Sequence, residues 1–188
     1  MASSTVTIAK QPSINAPGHV LPTPSSELSP SMVLPFQFVA TTFGMAETAA
    51  QITLVSSSVI NKLMLSYRHC QLVECSAELT PLAGAVSNPL SVNLVWVSAN
   101  STGAPTDILN IYGGSSFVLG GPITAPIPIS VPLPSNSVNV VLKDSTIYTD
   151  TPKLLAYSPL PASPSKTPTA SLQIRGKLRL SSPLLQPN

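Results

Sequence analysis

Charge is what this sequence has least of. Lys, Arg, Asp and Glu make up 9% of its 188 residues, against roughly 25% in a typical soluble domain. A folded monomer of this mass would expose roughly 8,500 Å², or roughly 500 Å² for each ionic group. Such an exterior consists of apolar atoms and hydroxyls, in keeping with a mean hydropathy of +0.32. A lone monomer with that surface associates, so a membrane or other subunits must cover much of it. The membrane is the poorer choice. The most apolar stretch, FVLGGPITAPIPISVPLP at 117–134, holds five prolines in eighteen residues, which forbids a spanning helix. The opening MASSTVTIAK lacks the basic start and apolar block of a secretory signal, so a cytosolic protein is expected.

Cysteine is nearly absent as well. Cys70 and Cys75 are too few for a disulfide framework. Five residues apart on an extended strand they would face opposite sides, so two unpaired, buried or half-buried thiols are expected. Without secretion the sequon Asn100-Ser101-Thr102 carries no glycan. Aromatic residues are 5% of the chain, too few for stacking platforms along a sugar or a single nucleic-acid strand. Trp96, in LVWVS, reads as core.

Catalytic patterns are missing too. GGSSF at 113–117 does not make a nucleophile elbow, and there is no phosphate loop, dinucleotide fingerprint or spaced metal set. His19 and His69 lie far apart. No catalytic residue and no metal ligand is assigned, and the protein is not read as an enzyme. A net charge of +2 is far too small to neutralise nucleic acid unaided.

What is present is β-structure. Residues 1–33 form a Ser/Thr/Pro-rich segment without apolar period, in which Lys10 and Glu27 balance, read as a flexible, net-neutral N-terminal arm. From residue 34 to 188 short β-rich runs recur between Gly, Pro, Asn and Ser: 34–43, 51–57, 70–79, 90–98, 116–120, 127–133, 138–142, 153–158 and 169–180. Eight or nine strands at regular spacing imply an all-β sandwich or barrel. One helix is expected over 57–68, with Val59, Leu63 and Tyr67 on one face. A second, short one is expected over 106–112, capped by Thr106 or Asp107. Pro126, Pro128, Pro132 and Pro134 share one parity, so they remove donors from one side of a strand only. An edge strand with a blocked outer side follows.

The last strand poses the sharpest question. In SLQIRGKLRL (171–180), Leu172, Ile174, Leu178 and Leu180 fall on one face and Gln173, Arg175, Lys177 and Arg179 on the other. A third of all the cations in the protein stand on this one strand face. What they face is left open by the alternation alone: solvent, an acidic edge of a neighbour, or another partner of negative charge. A second charged segment, KDSTIYTDTPK (143–153), sets Asp144 and Asp150 among Lys143 and Lys153. Flanking lysines favour a salt-bridged loop, structural or at a subunit contact, over an acid/base pair.

Several motifs then coincide: VWVSANS (95–101), YGG (112–114) with F-x-x-GG (117–121), and N-x-x-x-KDS-x-x-Y-x-D-x-PKLL (139–155). YRH (67–69) and SPLL (182–185) join them. Together they resemble the coat proteins of tymoviruses over residues 34–185. The resemblance implies an eight-stranded antiparallel jelly-roll sandwich with one or two short helices. It implies a T=3 icosahedral shell of pentamers and hexamers around positive-sense single-stranded RNA, a virion assembled in the cytoplasm of a plant cell, and polyamines as the counterions of the RNA. The histidine of the YRH motif would face RNA, which selects His69, with Arg68 beside it. Some members carry a second histidine before SPLL; here that position is Ser181, and Arg179 and Lys177 stand close enough to replace it. RNA-facing candidates are therefore His69, Arg68, Arg175, Lys177 and Arg179. Interface or structural ion-pair candidates are Lys143, Asp144, Tyr148, Asp150 and Lys153. The alternative from a different class is a monomeric β-sandwich module that binds a small ligand or carbohydrate.

Overall fold

A computed structural model of the chain describes residues 31–121, 127–144 and 150–184. Among these residues the strands are β1 (Ser31–Phe43), β2 (Thr48–Thr53), β3 (Tyr67–Pro81), β4 (Leu90–Val97), β5 (Ser115–Leu119), β6 (Ile129–Pro132), β7 (Val141–Lys143), β8 (Lys153–Ser158) and β9 (Ala170–Pro183). A single α-helix, α1 (Ser58–Ser66), runs directly into β3. Sheet A has the order β1-β9-β3-β6, with β7 also paired to β3. Sheet B has the order β2-β8-β4-β5. Every pairing is antiparallel. With the three-residue β7 set aside, eight strands wind through two four-stranded sheets as a jelly roll.

The core is built from strand alternation. On β9, Leu172, Ile174, Leu178 and Leu180 are fully buried, while Arg175, Lys177 and Arg179 are exposed. On β4, Leu90, Val92, Leu94 and Trp96 enter the same core. Val95 and Val97 point the other way and are buried too, against Ile108 and Leu155. A 3-10 turn, Pro105–Asn110, thus covers the outer face of sheet B. Two covered faces explain why LVWV and LLAY read as continuous apolar runs.

Three expectations are corrected. Cys70 and Cys75 do not face opposite sides: both are buried in the main core, and both are free. A bulge in β3 between Leu72 and Glu74 absorbs one residue and resets the alternation. Helix α1 buries Ile60 and Met64, whereas Leu63 and Tyr67 of the expected face are only partly buried against the core. Its phase is set by packing on Leu54 and the start of β3, and Val59 is left exposed. The 106–112 segment is a 3-10 turn that begins at Pro105 with Ala104 at its cap. Proline's fixed φ suits the first helical position and moves the start upstream.

Residues 31–33, expected in the arm, belong to β1 and pair with Arg179, Leu180 and Ser181. Residues 1–30 lie outside the described residues. β6 is an edge strand, as its prolines imply. The Leu133 N–H donates to the Cys75 carbonyl at 2.9 Å, so odd residues face β3 and Pro128, Pro132 and Pro134 face away. Pro126 lies outside the described residues.

Burial pushes the Cys70 thiol up from 9.0 to about 11, with Lys143 partly opposing, and the Cys75 thiol up to about 12. Both shifts favour the neutral thiol in the folded state. Their contribution to stability is complete below pH 9 and lost as pH rises through the folded values. Two results are expected. A thiol reagent at pH 8 reacts with both cysteines only on unfolding, and urea midpoints fall between pH 9 and 11.

Candidate nucleic-acid and subunit interfaces

The outward face of sheet A gathers most of the residues expected to meet RNA. β9 lies between β1 and β3, so its cations have neighbours on both sides. Lys177 stands opposite Glu74 of β3, and its Nζ lies 3.0 Å from Glu74 Oε1. Arg175 stands opposite Ser76 and reaches diagonally to the Glu78 carboxylate. Glu78 is mostly buried, its side chain 14% exposed. Gln37 of β1 donates to Gln173 at 2.9 Å on the same face. Arg179 is opposite Gln71 and Val33, and no acidic partner faces it among the described residues.

The two glutamates were absent from the sequence-based set. Their signal is in YRHCQLVECSAEL (67–79): once the bulge is placed, Glu74 and Glu78 share the face of Ser76, in register with the cations of β9. Without the bulge that register is not visible.

His69 lies one cross-strand step from Arg179, opposite Ser181. Its Nδ1 is 3.4 Å from Asp144 Oδ1, and both side chains are well exposed. Arg68 is exposed at the start of β3. Arg179 and His69 thus stand together on the outward face where β3 begins and β9 ends, with Asp144 beside His69, while Arg68 alternates to the other face of the strand.

The 143–153 segment divides by role. Lys143 is 6% exposed, and a buried ammonium needs partners. It donates to the Met64 carbonyl in the last turn of α1, where carbonyls are unsatisfied and the helix dipole favours a cation. Asp150 accepts from Asn139 Nδ2 at 3.1 Å, and its N–H donates to the Leu142 carbonyl. Lys153 donates to the Ser101 carbonyl at 2.8 Å. Tyr148 lies outside the described residues. These contacts tie β7, α1 and the 98–104 loop to the sandwich.

Large apolar side chains stand on the rest of the exterior. Tyr112 is 95% exposed, Val118 76% and Ile127 70%, with Leu160 and Val39 not far behind. Among the described residues no cluster of His, Cys, Asp and Glu could hold a metal, and no helix is long and apolar enough to cross a membrane.

Fold and surface together define a class: jelly-roll subunits of virus coats, which meet copies of themselves across apolar exteriors. The tymovirus coat protein family matches residues 12–187. The capsid protein of Physalis mottle virus is 61% identical over 188 residues, and that of Eggplant mosaic virus 60% over 188, each with both chains covered in full. The structure of Desmodium yellow mottle tymovirus superposes with a TM-score of 0.81 at 40% identity, covering 93% of this chain and 99% of that one. The chain belongs to the tymovirus coat protein family. It is a capsid protein: structural rather than enzymatic, a component of the virion, and a partner of its own copies.

Proposed function

We propose that copies of this chain build a T=3 icosahedral shell of pentamers and hexamers enclosing positive-sense single-stranded RNA. Assembly takes place in the cytoplasm of the host plant cell, and polyamines supply the cations that the protein lacks. The observation that carries this reading is full-length likeness, 60% identity over 188 residues, to the Eggplant mosaic virus capsid protein. The charge supports it. A chain of net +2 whose Arg175 and Lys177 are already paired needs mobile counterions if it is to hold RNA.

In this reading Arg179 and His69 meet RNA first. Arg179 is exposed and faces no carboxylate among the described residues, and His69 lies one cross-strand step away. Arg68 is exposed on the other face of the same strand end. Asp144 tempers the outward corner by facing His69. Arg179→Gln is expected to leave shells intact while lowering the RNA they hold, read as the ratio of absorbance at 260 and 280 nm. Arg175→Gln removes a cation that Glu78 already neutralises and has the smaller effect. Equal RNA content in Arg179→Gln and parent shells removes Arg179 from the RNA face.

A further inference from the structure

We propose that the outward face of sheet A holds a phosphate-binding strip for single-stranded RNA that two carboxylates of the chain itself keep masked. This rests on the RNA-enclosing function proposed above and adds to it how that face is regulated. An open groove of about 740 Å³ lies there, bordered by Pro35, Gln37, Glu74, Ser76, Arg175 and Lys177. Arg175, Lys177 and Arg179 stand at alternate positions of β9. Alternate residues of a strand are roughly 7 Å apart, a step comparable with the phosphate repeat of an extended nucleic-acid strand. The cations are thus laid out as a row that successive phosphates can follow.

The row is not free. Glu74 neutralises Lys177 and Glu78 neutralises Arg175, leaving Arg179 as the end without an acidic partner among the described residues. The two masks differ in strength. The Lys177 and Glu74 side chains are 49% and 58% exposed, and such a pair is held weakly. Glu78 is largely buried and holds Arg175 more firmly. RNA therefore enters at Arg179, displaces Glu74 from Lys177 next, and reaches Arg175 last. Each step exchanges a carboxylate for a phosphate on the same cation, so a lone phosphate gains little. A chain of phosphates at high local concentration, as inside a shell, gains at every step. Before assembly the masked strip keeps the subunit's hold on RNA weak.

The test uses the full chain with a short fluorescein-labelled oligouridylate, followed by anisotropy over a sodium chloride series. The parent is expected to bind with a shallow salt slope. Glu74→Gln steepens the slope of log K against log salt by about 0.7, and Glu74→Gln with Glu78→Gln by about 1.4. Lys177→Gln binds more weakly than the parent, because it removes one cation of the row and leaves the Glu74 carboxylate uncompensated. Shells of the double variant retain RNA at salt concentrations that empty parent shells. Glu74 is exposed, so its single variant carries the test if the Glu78 change disturbs Arg175. Parent binding with unchanged slopes in the glutamate variants overturns the masked strip and leaves the RNA-enclosing function standing. No oligomer bound by parent or variants, with shells that hold no RNA, overturns both.

Discussion

Replacing Gly176 by alanine is expected to lower stability by about 3 kcal/mol, the upper end of the usual cost of overpacking a core. Gly176 occupies the inward parity of β9 between Ile174 and Leu178, at the bulge of β3. A Cβ there would lie 2.2 Å from the Glu74 carbonyl oxygen, 2.9 Å from Phe36 Cζ and 3.0 Å from Cys75 Cα. Phe36 could turn aside, but backbone cannot. Relief would require β3 and β9 to separate, and that pairing runs from Tyr67↔Pro183 to Pro81↔Ala170. In a chain of this length about 3 kcal/mol corresponds to a fall of roughly 6–12 °C in Tm. Trimming Phe36 to leucine in the same chain should not restore the loss, because the nearest obstacle is the Glu74 carbonyl. A melting curve for Gly176→Ala that overlays the parent would contradict this packing.

Trp96→Ala is expected to cost about 3–5 kcal/mol. The side chain is 4% exposed in the main core, and its indole N–H donates to the Val131 carbonyl at 3.1 Å. One residue thus fills space under sheet B and ties it to the edge strand of sheet A. Trp96→Phe separates the two contributions. It keeps most of the volume, forfeits the hydrogen bond, and should cost about 1 kcal/mol. Trp96 is the sole tryptophan, so unfolding in urea is followed by circular dichroism. Parent and variants are compared at one protein concentration, since association shifts apparent stability. Equal midpoints for Trp96→Ala and Trp96→Phe would show that the space it fills contributes nothing.

Periodicity carried much of the fold. β9 and β4 alternate so regularly that their inward and outward faces could be read directly, and the proline parity of β6 marked an edge. Sequence reading failed where a tertiary contact resets a period. The β3 bulge put both cysteines on one side and brought Glu74 and Glu78 beside the β9 cations. The phase of α1 was lost for a similar reason, since docking on Leu54 and β3 chose Ile60 and Met64. Of the candidate site, the row of cations was plain in SLQIRGKLRL. What neutralises it was not, because strand register is a property of two segments a hundred residues apart in the chain, and local pattern holds no record of it.

The central physical claim is that so little charge on so apolar a sandwich requires sister copies to cover it. Size-exclusion chromatography with light scattering, backed by electron microscopy, on the dilute purified chain in ordinary buffer tests this most directly. Megadalton particles of icosahedral outline are the predicted result. A stable, soluble species of about the 19.5 kDa chain mass would contradict it.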